Sequence, residues 1–206
     1  MSVPAVLVVT GLQVRRGGRV VLDGASLTVH PGEIVAVLGA NGRGKSTLLA
    51  AVAGALSPRA GTIAIDGDQV WGARGAAARR RLGYAPEAAD PPPHLTGGEL
   101  WALVAAARGA APPSESLAAA LRLPELAGKR LGEMSLGQRR RACLAAALLG
   151  PPRLLVLDEP DNGLDAAALA ALVGLLGDHA AGGGATLVAT HDPALVETLD
   201  ARRFAL

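Results

Sequence analysis

Apolar positions recur along this chain in two registers, and their alternation outlines a fold before any motif is read. Residues 6–14 and 20–29 have the Val- and Leu-rich character of strands, with alternation through Ala25-Ser26-Leu27-Thr28-Val29. Gly17-Gly18 between them is a turn signal, so the pair predicts an antiparallel lobe at the N-terminus. Residues 34–38 are a short continuous apolar run of strand type. A helix is predicted over 46–53. Ser57-Pro58-Arg59-Ala60-Gly61 then breaks the chain, and residues 62–68 read as a strand ending in a turn.

The pattern changes at Glu87. Residues 88–96 hold too much proline for regular structure, while 97–107 and 115–121 predict short Ala-rich helices. The last third alternates: strand 153–157, helix 165–176, strand 185–190, helix 193–199 and a terminal strand 203–206, with Gly182-Gly183-Gly184 dividing helix from strand. Alternating β and α implies a largely parallel sheet with helices on its faces. The expected class is α/β, a single domain over 1–206. Its core lobe comprises 1–86 and 148–206, and 87–147 form a helical sub-lobe. No internal repeat is visible, and no regulatory tail is expected.

Composition narrows the setting. A length of 206 residues suits one domain, or one domain with a sub-lobe. Half the residues are hydrophobic, but alanine supplies much of that, so the positive mean hydropathy of +0.33 is no membrane signal. The longest apolar stretch, 142–157, is cut by Gly150, Pro151, Pro152 and Arg153. Residues 1–5 lack a basic segment and a cleavage site, so no secretory signal is expected. A net charge of +2 is only mildly basic. The two dense patches, Arg79-Arg80-Arg81 and Arg139-Arg140-Arg141, have no interleaved aromatics and read as solvated helix faces or strand lead-ins, not as a nucleic-acid surface. Cys143 stands alone and reads as a buried structural thiol. The cytosol is the expected compartment.

Between the apolar run 34–38 and the helix behind it lies Gly39-Ala40-Asn41-Gly42-Arg43-Gly44-Lys45-Ser46, a match to G-x-x-x-x-G-K-[ST]. Glycines let the backbone curl so that successive N–H groups point inward at an anion, and the following helix adds its positive N-terminal end. Lys45 is placed to reach the β- and γ-phosphates and the Ser46 hydroxyl to hold Mg²⁺. The residues expected around a nucleoside triphosphate are Gly39, Asn41, Gly42, Gly44, Lys45, Ser46 and Thr47. Further on, Leu154-Leu155-Val156-Leu157-Asp158-Glu159 is an apolar strand that delivers two carboxylates at its C-terminal end. Asp158 would hold Mg²⁺ directly or through water, and Glu159 could polarise the attacking water.

Residues 39–46, Met134-Ser135-Leu136-Gly137-Gln138, residues 154–160, Asn162-Gly163-Leu164-Asp165 and Thr190-His191-Asp192 stand in the order and spacing of a known family. The chain resembles, over essentially its whole length, the ATP-binding subunit of an ATP-binding-cassette (ABC) transporter. The resemblance implies a P-loop NTPase fold, ATP and Mg²⁺ as cofactors, and a head-to-tail dimer with two ATP molecules sandwiched between subunits. The dimer would be a homodimer or a pairing with a second ABC ATPase. One subunit's phosphate loop would face Ser135, Gly137 and Gln138 of the other, His191 would contact the γ-phosphate, and Asp165 would lie at the seam. Ser135 sits where an N-cap belongs, and its hydroxyl with the Gly137 N–H would form an anion site. The remaining histidines, His30, His94 and His179, read as surface residues.

Three positions depart from the family's usual pattern. Arg16 stands where an aromatic normally stacks on adenine, and a guanidinium plane can stack there too. Glu87 replaces a glutamine and could also contact Mg²⁺ or water. Leu136 replaces the first glycine of a pair whose second, Gly137, is kept. With Glu159 and His191 both present, a hydrolysing subunit is expected. It would power a transporter whose transmembrane subunits are separate integral-membrane permease chains, with export the favoured direction, and would sit on the cytoplasmic face of the membrane. The alternative is a soluble ABC ATPase working on nucleic acid, ribosomes or metal-cluster assembly.

Overall fold

The computed structural model describes residues 3–73, 75–150 and 152–206. Met1 and Ser2 at the N-terminus, Arg74, and Pro151 of the break in the 142–157 stretch lie outside the described residues.

Two sheets form. Strands β1 (Leu7–Arg16), β2 (Arg19–Val29), β4 (Ala60–Ile65) and β5 (Asp68–Gln69) make an antiparallel sheet in the order β2-β1-β4-β5. Strands β3 (Ile34–Leu38), β6 (Leu82–Ala85), β7 (Leu154–Asp158), β8 (Ala185–Ala189) and β9 (Arg202–Ala205) make a second sheet, parallel throughout, in the order β6-β7-β8-β3-β9. The helices are α1 (Lys45–Val52), α2 (Gly75–Arg80), α3 (Gly97–Arg108), α4 (Glu115–Ala120), α5 (Pro124–Ala127), α6 (Leu136–Leu148), α7 (Ala166–Ala181) and α8 (Pro193–Thr198), with a 3-10 turn at Leu131–Glu133. Among the described residues, no helix is long and apolar enough to cross a membrane.

The parallel sheet separates two apolar cores, and the period-2 rule assigns its side chains to them. Val35 and Val37 of β3 face one side with Leu154, Val156 and Leu187, where Leu48, Leu49 and Val52 of α1 and the antiparallel sheet close the layer. Ile34 and Ala36 face the other side with Leu155, Leu157 and Val188, covered by Leu144 of α6 and Leu172 and Leu176 of α7. β7 and β8 are buried along their whole length, which is why they read as continuous apolar runs.

The pairings Val37↔Ala189 and Asp158↔Ala189 bring the C-terminal ends of β3, β7 and β8 level. The segments that follow them therefore open on one edge, where parallel sheets place ligands. Four short elements had no counterpart in the sequence pattern: β5, α2, β6 and α5. β6 is four residues with a glycine inside, and a Cβ on Gly83 would stand 2.1 Å from the Ala147 carbonyl oxygen of α6. The glycine that weakens its strand signal is what lets α6 lie close.

Candidate functional site

The loop after β3 is built for close backbone approach. Gly44 is the N-cap of α1, adopts a left-handed conformation at φ 105, and gives the helix no side-chain cap. That φ is strained for any side chain with a Cβ, which would also crowd Leu22 Cδ2 at 2.8 Å and the Val21 carbonyl oxygen at 3.3 Å in β2, so the position favours glycine. The first-turn N–H groups of α1 are thus left for an external anion. Lys45 is 7% exposed, and its Nζ donates to the Gly39 carbonyl at 2.8 Å.

Above this loop lies a cavity of about 520 Å³. Asn41, Gly42, Gly44, Lys45, Ser46 and Thr47 line it together with Glu87, Glu159 and His191, and with Arg16 and Val21. Every position expected in the phosphate loop lines this space except Gly39, which acts through its carbonyl on Lys45. Arg16 and Glu87 come from remote segments and also reach it.

The acidic pair differs in its two members. Asp158 is 3% exposed, and its Oδ1 has no hydrogen-bond partner. Burial pushes its carboxyl above the usual carboxylate range, opposed by the Ser46 hydroxyl and reinforced by the charge of Glu87. An orphaned carboxylate oxygen beside a hydroxyl and a second carboxylate is a hard, oxygen-only donor set, and it fits a divalent cation. Among the described residues no cluster of three or more His, Cys, Asp or Glu could hold a metal alone. A site with few protein ligands suits Mg²⁺, which keeps waters and takes phosphate oxygens.

Glu159 sits at φ 46, in the left-handed region unusual for a side chain with a Cβ. Its N–H donates to the Ala189 carbonyl at 2.8 Å, and its Oε2 accepts from the His191 N–H at 3.2 Å. His191 Nε2 lies 3.1 Å from Glu159 Oε1 and 3.4 Å from Lys45 Nζ. It can donate to the carboxylate or accept from the ammonium, one at a time. Burial raises the Glu159 carboxyl, with His191 holding it back. The segment after β8 is itself braced: Thr190 Oγ1 donates to Asp161 Oδ1 at 2.9 Å, and Asp192 caps α8 through the Ala194 N–H at 2.9 Å.

Ser135, Gly137 and Gln138 are not in this cavity. They line a separate one of about 260 Å³ with Gly163 and Asp165. Ser135 and Gln138 form a reciprocal capping box at the start of α6, Ser135 Oγ accepting from the Gln138 N–H at 3.3 Å and Gln138 Oε1 from the Ser135 N–H at 3.1 Å. A Cβ on Gly137 would fall 2.4 Å from the Gly163 carbonyl oxygen. Asp165 caps α7 by accepting from the Ala168 N–H at 2.8 Å.

Two expectations need correction. Arg139-Arg140-Arg141 is not a solvated face. At 100° per residue three consecutive helical positions sweep about 200°, so they need not share one face, and one can turn inward. Arg140 does: it is 5% exposed, donating to the carbonyls of Pro86 (2.7 Å), Glu159 (2.5 Å), Pro160 (3.4 Å) and Asp158. Arg141 donates to the Leu121 carbonyl at 3.1 Å. His179, expected at the surface, is half-buried with Nε2 3.2 Å from the Ala185 carbonyl, and burial lowers its pKa. Arg79–Arg81 does behave as a helix end and strand lead-in, with Arg81 paired to Asp68 at 3.0 Å. Cys143 is buried, as expected.

Comparison with known proteins agrees with this geometry. The ABC transporter family profile matches residues 22–162. A curated relative, the cytochrome c biogenesis ATP-binding export protein CcmA of Bordetella parapertussis, is 40% identical over 195 residues, covering 92% of this chain and 84% of its own. The Fe(3+) ions import ATP-binding protein FbpC 2 of Rhodococcus jostii is 38% identical over 190 residues, covering 90% of this chain and 55% of its own. A solved structure described as the ATP binding subunit of an ABC transporter superposes with a TM-score of 0.86 at 32% identity, covering 93% of this chain and 82% of that one.

Proposed function

The chain belongs to the ABC transporter family of ATP-hydrolysing subunits, and from that premise we propose that it powers a transporter whose transmembrane subunits are separate chains, with export as the direction. One observation carries the enzymatic part of this reading: the Glu159 carboxylate, held by two contacts to His191, faces the phosphate loop across one cavity. Lys45 and the α1 amides take the β- and γ-phosphates, with Gly39, Asn41, Gly42, Gly44 and Thr47 shaping the cradle. Asp158, Ser46 and Glu87 would hold Mg²⁺, which when bound would neutralise charge on the phosphate oxygens. Glu159 accepts the proton of the attacking water, and His191 orients Glu159 and senses the γ-phosphate. Arg16 supplies a flat cation for the base.

The separate Ser135 cavity supports a head-to-tail dimer. A capped helix start with Gly137 beside it, and no phosphate loop of its own, is half of an anion site. The export direction is supported by the relative named as an export protein, which this chain matches over 84% of its length, against 55% for the import protein.

Glu159→Gln is the test. It removes the proton acceptor and leaves the cradle intact, so ATP affinity should be kept while hydrolysis falls on the order of 10²- to 10⁴-fold. The variant should also move from monomer to dimer on size exclusion when ATP and Mg²⁺ are added. Hydrolysis at the wild-type rate would refute the role of Glu159. Co-purification with a polytopic membrane protein would test the transporter part.

A further inference from the structure

We propose that Arg140 is a positioning residue for hydrolysis: it holds the backbone at Asp158 and Glu159 so that the Glu159 carboxylate is presented to the phosphate-loop cavity. The inference rests on the reading of Glu159 as the group that takes the water's proton. Nothing in a run of three arginines announces such a role; it comes from where the guanidinium lies.

Four of its five N–H groups have acceptors, and all four acceptors are backbone carbonyls. Nη2 uses both hydrogens on Asp158 and Glu159, Nε reaches Pro160 at 3.4 Å, and Nη1 reaches Pro86 at 2.7 Å. Pro86 immediately precedes Glu87, which lines the nucleotide cavity. One planar cation therefore ties the segment carrying Glu87 to the segment carrying both acids. Its own helix, α6, begins at the Ser135 cap of the other cavity. The charge is largely desolvated: burial lowers the Arg140 pKa, while Asp158, Asp161 and Glu87 oppose that shift.

Glu159 needs such a clamp. At φ 46 it occupies a backbone conformation that persists only when its surroundings over-determine it. Its N–H is fixed by the Ala189 carbonyl at 2.8 Å and its C=O by Arg140 at 2.5 Å. With the peptide held from both sides, the side chain leaves the backbone towards His191. Loosening one side lets the residue relax toward ordinary φ and carries the carboxylate off its line to the phosphate loop. A lysine at 140 keeps the charge but has its donors on a single nitrogen and cannot reach four carbonyls spread over separate segments.

The experiment compares Arg140→Lys and Arg140→Gln with wild type by phosphate release, ATP affinity and melting, and repeats Arg140→Lys in a Glu159→Gln background under single turnover. A positioning role predicts a kcat loss of about 10- to 100-fold, with ATP affinity changed less than about threefold. It also predicts at most about a twofold further loss once Glu159 is already glutamine, because the two changes act through one group. A kcat within about twofold of wild type for Arg140→Lys would overturn the proposal. So would a full additional loss in the Glu159→Gln background, or a fall in ATP affinity and melting temperature in step with kcat in both variants, which would make Arg140 a fold anchor only. Should Glu159→Gln alone hydrolyse at the wild-type rate, the role of Glu159 fails and this inference with it. A slow Glu159→Gln beside an unimpaired Arg140→Lys sinks only the inference.

Discussion

Lys45→Ala isolates the electrostatics of the phosphate cradle. The cavity wall carries two cations, Arg16 and Lys45, and two carboxylates, Glu87 and Glu159. Removing Lys45 leaves two carboxylates against one guanidinium in front of a polyanion. Lys45 is 7% exposed, so its ammonium meets phosphate with little water to screen it. Opposite unit charges 4 Å apart attract by about 4 kcal/mol at an effective dielectric of about 20. After desolvation is subtracted, a hydrogen bond to a charged group nets about 1.5–3 kcal/mol. Taking the upper figure for this buried ammonium, ATP affinity should fall by about 3 kcal/mol, on the order of 100-fold.

The same substitution has a second, independent reading. Lys45 Nζ also donates to the Gly39 carbonyl at 2.8 Å, and that bond is lost too. The donor is charged, so its net worth of about 1.5–3 kcal/mol corresponds to a melting-temperature drop of roughly 3–12 °C for a domain of this size. Titration calorimetry with ATP and a thermal melt without it measure the two effects separately. An affinity loss under about fivefold would refute the placement of Lys45 against the β- and γ-phosphates. A large affinity loss with an unchanged melting temperature would refute only the value set on the Gly39 bond.

Two further outcomes follow from the acids and the second cavity. Ser135→Arg should keep ATP binding and eliminate hydrolysis, since Ser135 lines a cavity apart from the phosphate loop; losing its bond to the Gln138 N–H should also cost about 1 kcal/mol, or 2–4 °C in melting temperature, and normal hydrolysis would count against composite sites. Asp158→Asn should end Mg²⁺-dependent hydrolysis yet stabilise the metal-free protein by about 1 kcal/mol at neutral pH, because it removes a buried charge whose Oδ1 has no partner. The sign follows from the raised Asp158 pKa: the folded state holds that proton more tightly than the unfolded chain, so ionisation costs wild-type stability as pH rises, and the advantage of the asparagine should shrink as pH falls through the raised value. Equal or lower melting of Asp158→Asn at neutral pH would refute it.

Much of this was legible in the sequence for a physical reason. β3, β7 and β8 are buried on both faces or nearly so, and such strands leave an apolar run bounded by turn chemistry. The groups that follow them, Lys45, Asp158, Glu159 and His191, sit in short linear motifs because each motif is one strand end at one sheet edge. Elements with little burial or few residues left no such trace: α2 is a six-residue Ala- and Arg-rich helix, α5 a single turn starting at Pro124, and β5 two residues. Arg140 was invisible for a different reason. Its acceptors are main-chain carbonyls, and a carbonyl has no letter in a sequence.

The three departures from the family's usual residues fall where the structure leaves room. Arg16, Glu87 and Leu136 are all exposed, Leu136 at 71%. The glycines retained beside them are of another kind. A Cβ at Gly44 would press on Leu22, and one at Gly137 would overlap the Gly163 carbonyl, which ties the start of α6 to the loop leading into α7. A larger residue at 44 or 137 would have to push backbone or core aside, whereas Leu136 projects into solvent from the same turn. The substituted side chains therefore change what the surfaces of the two cavities offer a base, a cation or a partner subunit. The curl of the phosphate loop and the approach of α6 to residue 163, on which the placement of charge depends, are set by the glycines that remain.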